Sequence, residues 1–286
     1  MDSPATWIDD TVEVRRLGPE WLGACLDLAA DRQWPREERK WRLLFDVGEV
    51  YGIVDPGGEL VSAAVLTRYG DGLCAISMVL TASRLEGRGL GRRVMTRLLG
   101  EAGDAVVTLY ATDNGLPLYQ KLGFTAVDAN TTHVGRLDAP SAGRERCRVA
   151  TDADLPAIAA LDARVCGGDR GGLVARLPRF ADQLRVIETD GEITGYASAW
   201  PNLPTTVVGP VIAANLDDAR ALVADLARGT THPIRLEVLD AFAELGRWAE
   251  SHGAAARART TFMVHNGRPI PGEPEHLYSP VSVALG

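Results

Sequence analysis

The sequence predicts an α/β (α+β) fold, a mixed, mostly antiparallel sheet flanked by helices, and it predicts this fold twice. Three observations lead to this prediction. The element series β-α-α-β-β-β-α-β-α-β occurs twice, at a displacement of roughly 130 residues. A segment rich in small and turn-forming residues, 138–145, separates the two copies. A chain of 286 residues is long enough for two domains, which we place at residues 1–139 and 146–286.

Hydrophobic periodicity gives the elements of the first copy. Alternation at Val12 and Val14 predicts a strand, and two helical patterns follow it. Glycine-rich turns then separate three β-rich runs. After these we expect an amphipathic helix, a strand, a short helix that ends at Gly123, and two final strands. In order, these elements cover residues 21–28, 41–45, 50–54, 60–69, 73–81, 89–102, 105–111, 115–122, 124–127 and 132–137.

The second copy repeats the order with weak sequence identity. The loop 166–172 is either a charged loop that reaches a site or a plain turn between helices. The tail 269–286, with four prolines, is either a strap across the domains or loosely ordered. In order, the elements before this tail cover residues 148–150, 155–161, 186–188, 193–200, 205–213, 217–226, 234–239, 242–251 and 261–264.

Composition argues against several functional classes. With 38 acidic and 30 basic residues, the net charge is −8, so we expect no nucleic-acid partner. No run approaches 18 apolar residues, which argues against a membrane partner. The four cysteines lie far apart without a C-x-x-C pair, so we expect neither a metal site nor a disulfide framework. An acidic N-terminus without an apolar run predicts a cytoplasmic protein.

A glycine-rich loop is the most informative stretch. Gly87, Gly89 and Gly91 occupy alternate positions at the start of the predicted helix 89–102. Such a loop exposes backbone N–H groups at a helix N-terminus, where a pyrophosphate can bind, and Arg88 and Arg92 add positive charge. The pattern matches neither the dinucleotide fingerprint nor the Walker loop. The alternative is a turn that merely joins a strand to a helix.

Two motifs resemble the GNAT N-acetyltransferase superfamily. Glu86-x-x-Gly89-x-Gly91 after an apolar strand is similar to its coenzyme-A motif, although the family usually has Gln or Arg where Glu86 stands. The segment 111–124, ATDNGLPLYQKLGF, is similar to its A-x-x-L-Y-x-K-x-G-F motif. The resemblance covers residues 12–137. It implies two tandem GNAT-like domains, of which the first binds acetyl-CoA as acyl donor.

The resemblance also implies roles for individual residues. The main chain near Leu80 would pair with the pantetheine amides, the glycine loop would hold the pyrophosphate, and Asn114 would lie near the pantetheine arm. Tyr119 would act as general acid toward the departing thiolate; otherwise it is an aromatic cap on its helix. Glu86 is expected to point away from the phosphates. The implied cofactor-binding residues are Val79, Leu80, Thr81, Gly87, Arg88, Gly89, Leu90, Gly91, Arg92 and Asn114.

The general base and the acceptor stay open. Each candidate base also fits a solvated charge, or for the histidine a strand residue. Trp34, in the loop that shapes the acceptor pocket, is either a substrate wall or a core residue. We expect a small-molecule or peptide amine as acceptor, and a homodimer is compatible with the sequence. The candidate bases are Asp31, Glu37, Glu38, Glu49, His133 and the carboxylate of Gly286.

The second copy lacks both motifs. At the position of the glycine loop, Asn215 and Asp218 form a good helix cap, and Asp217 and Asp218 would repel a pyrophosphate. We therefore expect a degenerate GNAT-like domain that packs against the first and completes the acceptor site. The sequence predicts an N-acetyltransferase that works by direct attack in a ternary complex. The rivals are an acyl-CoA sensor without transferase activity and a purely structural protein.

Overall fold

The structure, a computed structural model, describes residues 13–139 and 146–285. Val12, the segment 140–145 and the Gly286 carboxylate, all used above, lie outside these residues. The first half contains β1 (Arg15–Leu17), α1 (Leu22–Asp31), α2 (Glu38–Val47), β2 (Glu49–Val54), β3 (Leu60–Tyr69), β4 (Leu73–Thr81), α3 (Leu90–Ala102), β5 (Val106–Ala111), α4 (Leu116–Lys121) and β6 (Phe124–Gly135). The second half contains β7 (Cys147–Val149), α5 (Leu155–Cys166), α6 (Gly171–Val174), α7 (Leu177–Phe180), β8 (Gln183–Thr189), β9 (Glu192–Asn202), β10 (Thr205–Ile212), α8 (Leu216–Arg228), β11 (Ile234–Leu239), α9 (Ala243–Ser251), β12 (Ala254–His265) and β13 (Leu277–Ser279).

The strands of both halves form one sheet. Their order is β1-β2-β3-β4-β5-β12-β6-β11-β10-β9-β8-β7, and β13 pairs with β10. This order is palindromic, because each strand of the first half has its counterpart at the mirrored position in the second. All pairs are antiparallel except β4 with β5 and β10 with β11. The predicted fold class is confirmed, and the structure adds that the two sheets are continuous.

The sixth strands of the two halves are exchanged. β12 pairs with β5 of the first half, and β6 pairs with β11 of the second. β6 and β12 also pair with each other, and their bounds differ by 130 residues at both ends. The predicted separate strands 124–127 and 132–137 are wrong, as is the short strand 261–264. Partners on both sides, supplied by the other half, keep these polar segments extended over 12 residues each.

Helices cover both faces of the sheet. On one face Arg68 of β3 donates to the carbonyl of Glu101 in α3, at 2.8 Å. On the other face Glu37, at the start of α2, accepts a hydrogen bond from Asn202 of β9. This second face, called the α2 face below, also carries α5 and α7: Tyr196 donates to Asp162 of α5, and Trp200 stacks against Phe180 of α7. The helices of both halves thus meet over a shared core.

The C-terminal tail is ordered and crosses between the halves. β13 pairs with β10, and the indole N–H of Trp200 donates to the carbonyl of Val281 at 3.3 Å. The Tyr69 hydroxyl, on β3 of the first half, donates to the carbonyl of Leu285. The strap interpretation of the tail is therefore correct. Among the described helices none is long and apolar enough to cross a membrane.

Candidate active site

β4 and β5 diverge where the sequence places the acyl-donor site. Their parallel pairs run from Leu73↔Val106 to Ala75↔Thr108, although β4 continues to Thr81 and β5 to Ala111. A β-bulge shifts the register of β4 against β3 between Ser77 and Leu80, and Met78 within it has a φ of 51°. Bulges often lie beside active sites, where they redirect the strand. The result is a slot between β4 and β5 whose edge on β4 is Val79, Leu80 and Thr81.

The start of α3 faces this slot with unpaired backbone donors. Gly87 and Gly89 have φ values of 76° and 82°, a region that disfavours any side chain. The Gly89 carbonyl accepts the first helical hydrogen bond from the Arg93 N–H at 3.0 Å, so the N–H groups of Leu90, Gly91 and Arg92 precede the helical ladder. Gly89 offers no capping side chain, and the first turn has no acidic residue. This N-terminus is suited to an anion.

The turn is packed against its neighbours. A Cβ on Gly91 would lie 3.3 Å from Thr81 Oγ1 and 3.5 Å from Leu118 Cδ2, so β4, α3 and α4 meet there. Arg88 and Arg92 are exposed at the same turn. The Glu86 carboxylate forms an ion pair with Arg32 at 3.0 Å.

Helix α1 is tied to the same loop. Asp31, at its end, accepts hydrogen bonds from the N–H and the hydroxyl of Ser83, at 2.6 and 2.8 Å. Together with the ion pair of Arg32, these bonds fix the position of the loop between α1 and α2, and hence of Trp34, relative to the glycine turn before α3. Trp34 is half-buried and packs against the main core.

Tyr119 lies on α4, and its side chain is 7% exposed. Its ring contacts Phe124 edge-on, at a centroid distance of 6.0 Å. Its hydroxyl has no hydrogen-bond partner in the part of the chain that the structure describes. Burial raises the pKa of Tyr119 well above its usual range, so the hydroxyl keeps its proton. Asn114 is exposed in the turn before α4.

Two of the candidate bases are already engaged by partners that stabilise the carboxylate. The N–H of Ser83 lowers the pKa of Asp31. Burial raises the pKa of Glu37, but Lys40 and Asn202 outweigh it and hold the pKa below its usual value. Glu37 is only 5% exposed, so the expectation of a solvated charge is wrong for this residue.

The other described candidates also have partners. Glu49 accepts hydrogen bonds from Arg68 at 2.9 Å and from Tyr51 at 2.8 Å, on the α3 face. Glu38 pairs with Arg42. His133 is buried beneath α9, with Nε2 3.3 Å from Glu250. No free carboxylate of the described set therefore stands ready beside the slot.

The equivalent slot of the second half is filled by the chain itself. β10 and β11 pair in parallel only from Thr206 to Val208, as β4 and β5 do, but β13 then pairs with β10 at Val211↔Ser279. A Cβ on Gly209 would lie 2.2 Å from the Pro280 carbonyl oxygen, so the tail is in close contact. At the position of the open slot between β4 and β5 in the first half, the second half has its own tail strand.

The helix that follows this second slot, α8, begins with different residues from α3. Asn215 caps α8, accepting from the Asp218 N–H at 3.0 Å, and Asp217 and Asp218 occupy its first turn. The Asp218 carboxylate forms an ion pair with Arg146 at 2.9 Å. The predicted helix cap is confirmed, and this N-terminus is capped and carries two aspartates, each paired with an arginine, whereas the start of α3 has neither cap nor acid.

Comparison with known proteins agrees with this arrangement. A family model described as an acetyltransferase (GNAT) domain matches residues 42–139, and a second model of the same description matches residues 158–279. The chain belongs to the GNAT acetyltransferases. It carries two GNAT domains in tandem, and the transferase class follows from the family.

Several GNAT relatives share the whole architecture. Uncharacterized N-acetyltransferase YitH of Bacillus subtilis (strain 168) is 25% identical over 291 residues, covering 98% of this chain and 100% of the relative. A GCN5-related N-acetyltransferase from Sphaerobacter thermophilus has a TM-score of 0.65 at 16% identity, covering 92% of this chain and 98% of that one. A tandem GNAT protein from the clavulanic acid biosynthesis pathway has a TM-score of 0.60 at 16% identity, covering 90% and 99%. The structural likenesses show the fold.

The strand exchange places residues of the second GNAT domain beside the slot of the first, which sequence reasoning missed. Phe262 of β12 stacks on Tyr110 of β5 at a centroid distance of 4.7 Å. The only sequence signal was the equal displacement of β6 and β12, which reveals the symmetry but not the exchange. Among residues 13–139 and 146–285, no three His, Cys, Asp or Glu side chains are grouped as metal ligands.

Proposed function

We propose that the first half, residues 1–139, binds acetyl-CoA and transfers its acetyl group to a primary amine, while residues 146–286 form a degenerate GNAT domain. The contrast between two equivalent sites in one chain carries the proposal. The first half combines divergent strands with an uncapped, acid-free helix start, whereas the second has a tail strand and two aspartates at the same positions. Because backbone donors favour anions and aspartates repel them, only the first is suited to a pyrophosphate.

The proposed reaction is direct attack in a ternary complex. The amine nitrogen forms a bond to the thioester carbonyl carbon, the C–S bond breaks, and the thiolate takes the proton of Tyr119. The unpartnered hydroxyl of the buried Tyr119 side chain supports its role as general acid, because it is protonated and free to donate. As the amide forms, the attacking nitrogen releases one proton to solvent, and solvent restores the tyrosine proton. The products are an N-acetylated amine and free coenzyme A.

A second candidate function is acyl-CoA binding without transfer. One observation favours it: each candidate base among the described residues already has a hydrogen-bonded or charged partner. If the protein does transfer the acetyl group, the amine must reach the slot in its neutral form or lose its proton to solvent. Release of free thiol with a panel of primary amines separates the two functions.

The test of the proposal begins with acetyl-CoA binding to the full chain. At a ligand concentration of 100 times Kd, binding to the folded state alone adds about 2.7 kcal/mol of stability, so the melting temperature should rise. Replacing Tyr119 by Phe should lower kcat by about 10²-fold or more with unchanged melting temperature, because the hydroxyl holds no other described group. A Tyr119→Phe variant as fast as the parent would show that the acid assignment is wrong.

A further inference from the structure

A buried asparagine and a half-buried threonine whose hydroxyl oxygen is buried lie where the two halves meet on the α2 face. Asn130 of β6 and Thr260 of β12 are directly opposite each other in the ladder, and they are equivalent residues of the two halves, 130 positions apart. Asn130 is 0% exposed. Its Oδ1 and Nδ2 and the Oγ1 of Thr260 have no hydrogen-bond partner within the described ranges. Buried polar groups are nearly always paired, so these three atoms need an explanation.

The strand register places this pair beside the mouth of the slot. Phe262, two residues from Thr260 on the same face, is opposite Tyr110 of β5. By the same alternation Ser77, the last residue of β4 before the bulge, is on this face, and its buried hydroxyl also has no partner among the described residues. Unpartnered polar atoms thus lie on both sides of β5, from the slot to the junction of the halves.

The spacing of the strands sets the distance. β5, β12 and β6 are consecutive neighbours in the sheet, so Asn130 lies two strand spacings from β5, about 10 Å. An amine at the thioester would therefore need a chain of several atoms to span β5 and β12 and reach Asn130. The site needs both halves, since each contributes one member of the pair.

The chemistry of the pair selects the group it would bind. Asn130 offers a donor and an acceptor, and Thr260 offers a hydroxyl that can be either. Asp128, on the same face and opposite Phe262, already accepts from the N–H groups of Ala129 and Ala241, and its charge disfavours a carboxylate there. An ammonium can only donate hydrogen bonds and would leave the Asn130 amide N–H groups unpaired, whereas a neutral amide offers both a donor and an acceptor and can pair both ends of the Asn130 side chain.

We propose that Asn130 and Thr260 form the distal part of the acceptor site and select primary amines that carry a carboxamide or peptide unit about 10 Å from the amine. This inference rests on the proposed acetyl transfer in the first half. It assigns to the second half a direct role in substrate choice, through a single strand exchanged into the neighbouring site.

The experiment compares two amines of matched length, 8-aminooctanamide and octylamine, in a thiol-release assay with acetyl-CoA and the full chain. We expect a preference for the amide in kcat/KM of about tenfold or more, because a polar site is left unpaired by the analogue that lacks the group. Asn130→Leu, similar in shape, should abolish the preference while changing the KM for acetyl-CoA by no more than about twofold. Thr260→Val provides a second variant if the first does not fold.

The matched control is Thr67→Val. Thr67 is also fully buried with an unpartnered hydroxyl, but this hydroxyl lies towards Gly48, away from the slot. It should leave the amide preference unchanged. Equal rates with the two amines, no acetylation of the amide, or a preference that survives in Asn130→Leu and Thr260→Val would each overturn the inference; the last result indicates a trapped water instead. Failure of acetyl-CoA to raise the melting temperature would instead contradict the proposed function itself.

Discussion

Glu37 provides the sharpest test of how the two halves are held together. Its carboxylate is 5% exposed and pairs with Lys40, which is 8% exposed, while Asn202 of the second half donates to it and Arg235 Nη1 lies 4.0 Å away. Replacing Glu37 by Gln keeps the shape but removes the charge. The Lys40 ammonium then stays buried without its partner, which is more costly than the loss of an exposed pair.

The structure allows an estimate of this cost. Removing one partner of a buried ion pair typically costs about 3–5 kcal/mol. The amide of Gln can still accept one hydrogen bond, so we expect the lower end, about 3 kcal/mol, or roughly a hundredfold in the unfolding equilibrium. Glu38→Gln is the matched control: its exposed i,i+4 pair with Arg42 should cost no more than about 0.5 kcal/mol.

Urea denaturation of the full chain measures the stability of both variants. The pH dependence of that stability provides an independent test. The folded-state pKa of Glu37 is lowered, so its stabilisation is present above its ordinary pKa and is lost as pH falls through the folded value. The parent should therefore lose its advantage over Glu37→Gln in acid. If Glu37→Gln were as stable as Glu38→Gln, the buried ion pair of Glu37 would not stabilise the fold as inferred. A large loss of kcat at unchanged stability would instead identify Glu37 as the base.

Three further predictions concern the two slots and the tail. Gly89→Ala, at a φ of 82°, should cost about 1 kcal/mol and weaken the acetyl-CoA-dependent rise in melting temperature, whereas Gly100→Ala, in the last turn of α3 with nothing near its Cβ, should stabilise by about 0.5 kcal/mol. Asn215→Ala removes the cap of α8 and should cost about 1 kcal/mol in urea denaturation without changing the response to acetyl-CoA; a weakened response would place a donor site in the second half. Tyr69→Phe loses the hydrogen bond to Leu285, which should cost about 1 kcal/mol and speed carboxypeptidase digestion of the tail; an unchanged digestion rate would argue against the strap.

Local features were predictable because their causes lie within a few residues. The helix beginning near Gly89 follows from alternating glycines before an amphipathic run, and the structure has α3 from Leu90. The cap at Asn215 follows in the same way from a side chain that bonds a backbone N–H three residues later. The contrast between these two helix starts, on which the proposed function depends, was therefore visible in the sequence.

The environments of Glu37 and of the tail could not be read from sequence. Beside Glu38 in a charged loop, Glu37 has the pattern of a surface residue, and only Asn202 and Arg235, more than 160 residues away, make it buried. The tail has no periodicity that distinguishes a strap from a loose end. Its strand β13 forms because β10 leaves its hydrogen-bonding groups unpaired where it diverges from β11.

The sequence by itself determined the repeated fold, the glycine turn, the position of Tyr119 on α4 and the loss of the motifs in the second half, since each is encoded by spacing along the chain. Tertiary structure alone decided which strands are neighbours. In this chain β12 covers the edge of β5 and β6 covers the edge of β11, so the exchange satisfies both edges at once. That pairing, between residues about 130 positions apart, brings Asn130 and Thr260 together, which neither local pattern could reveal.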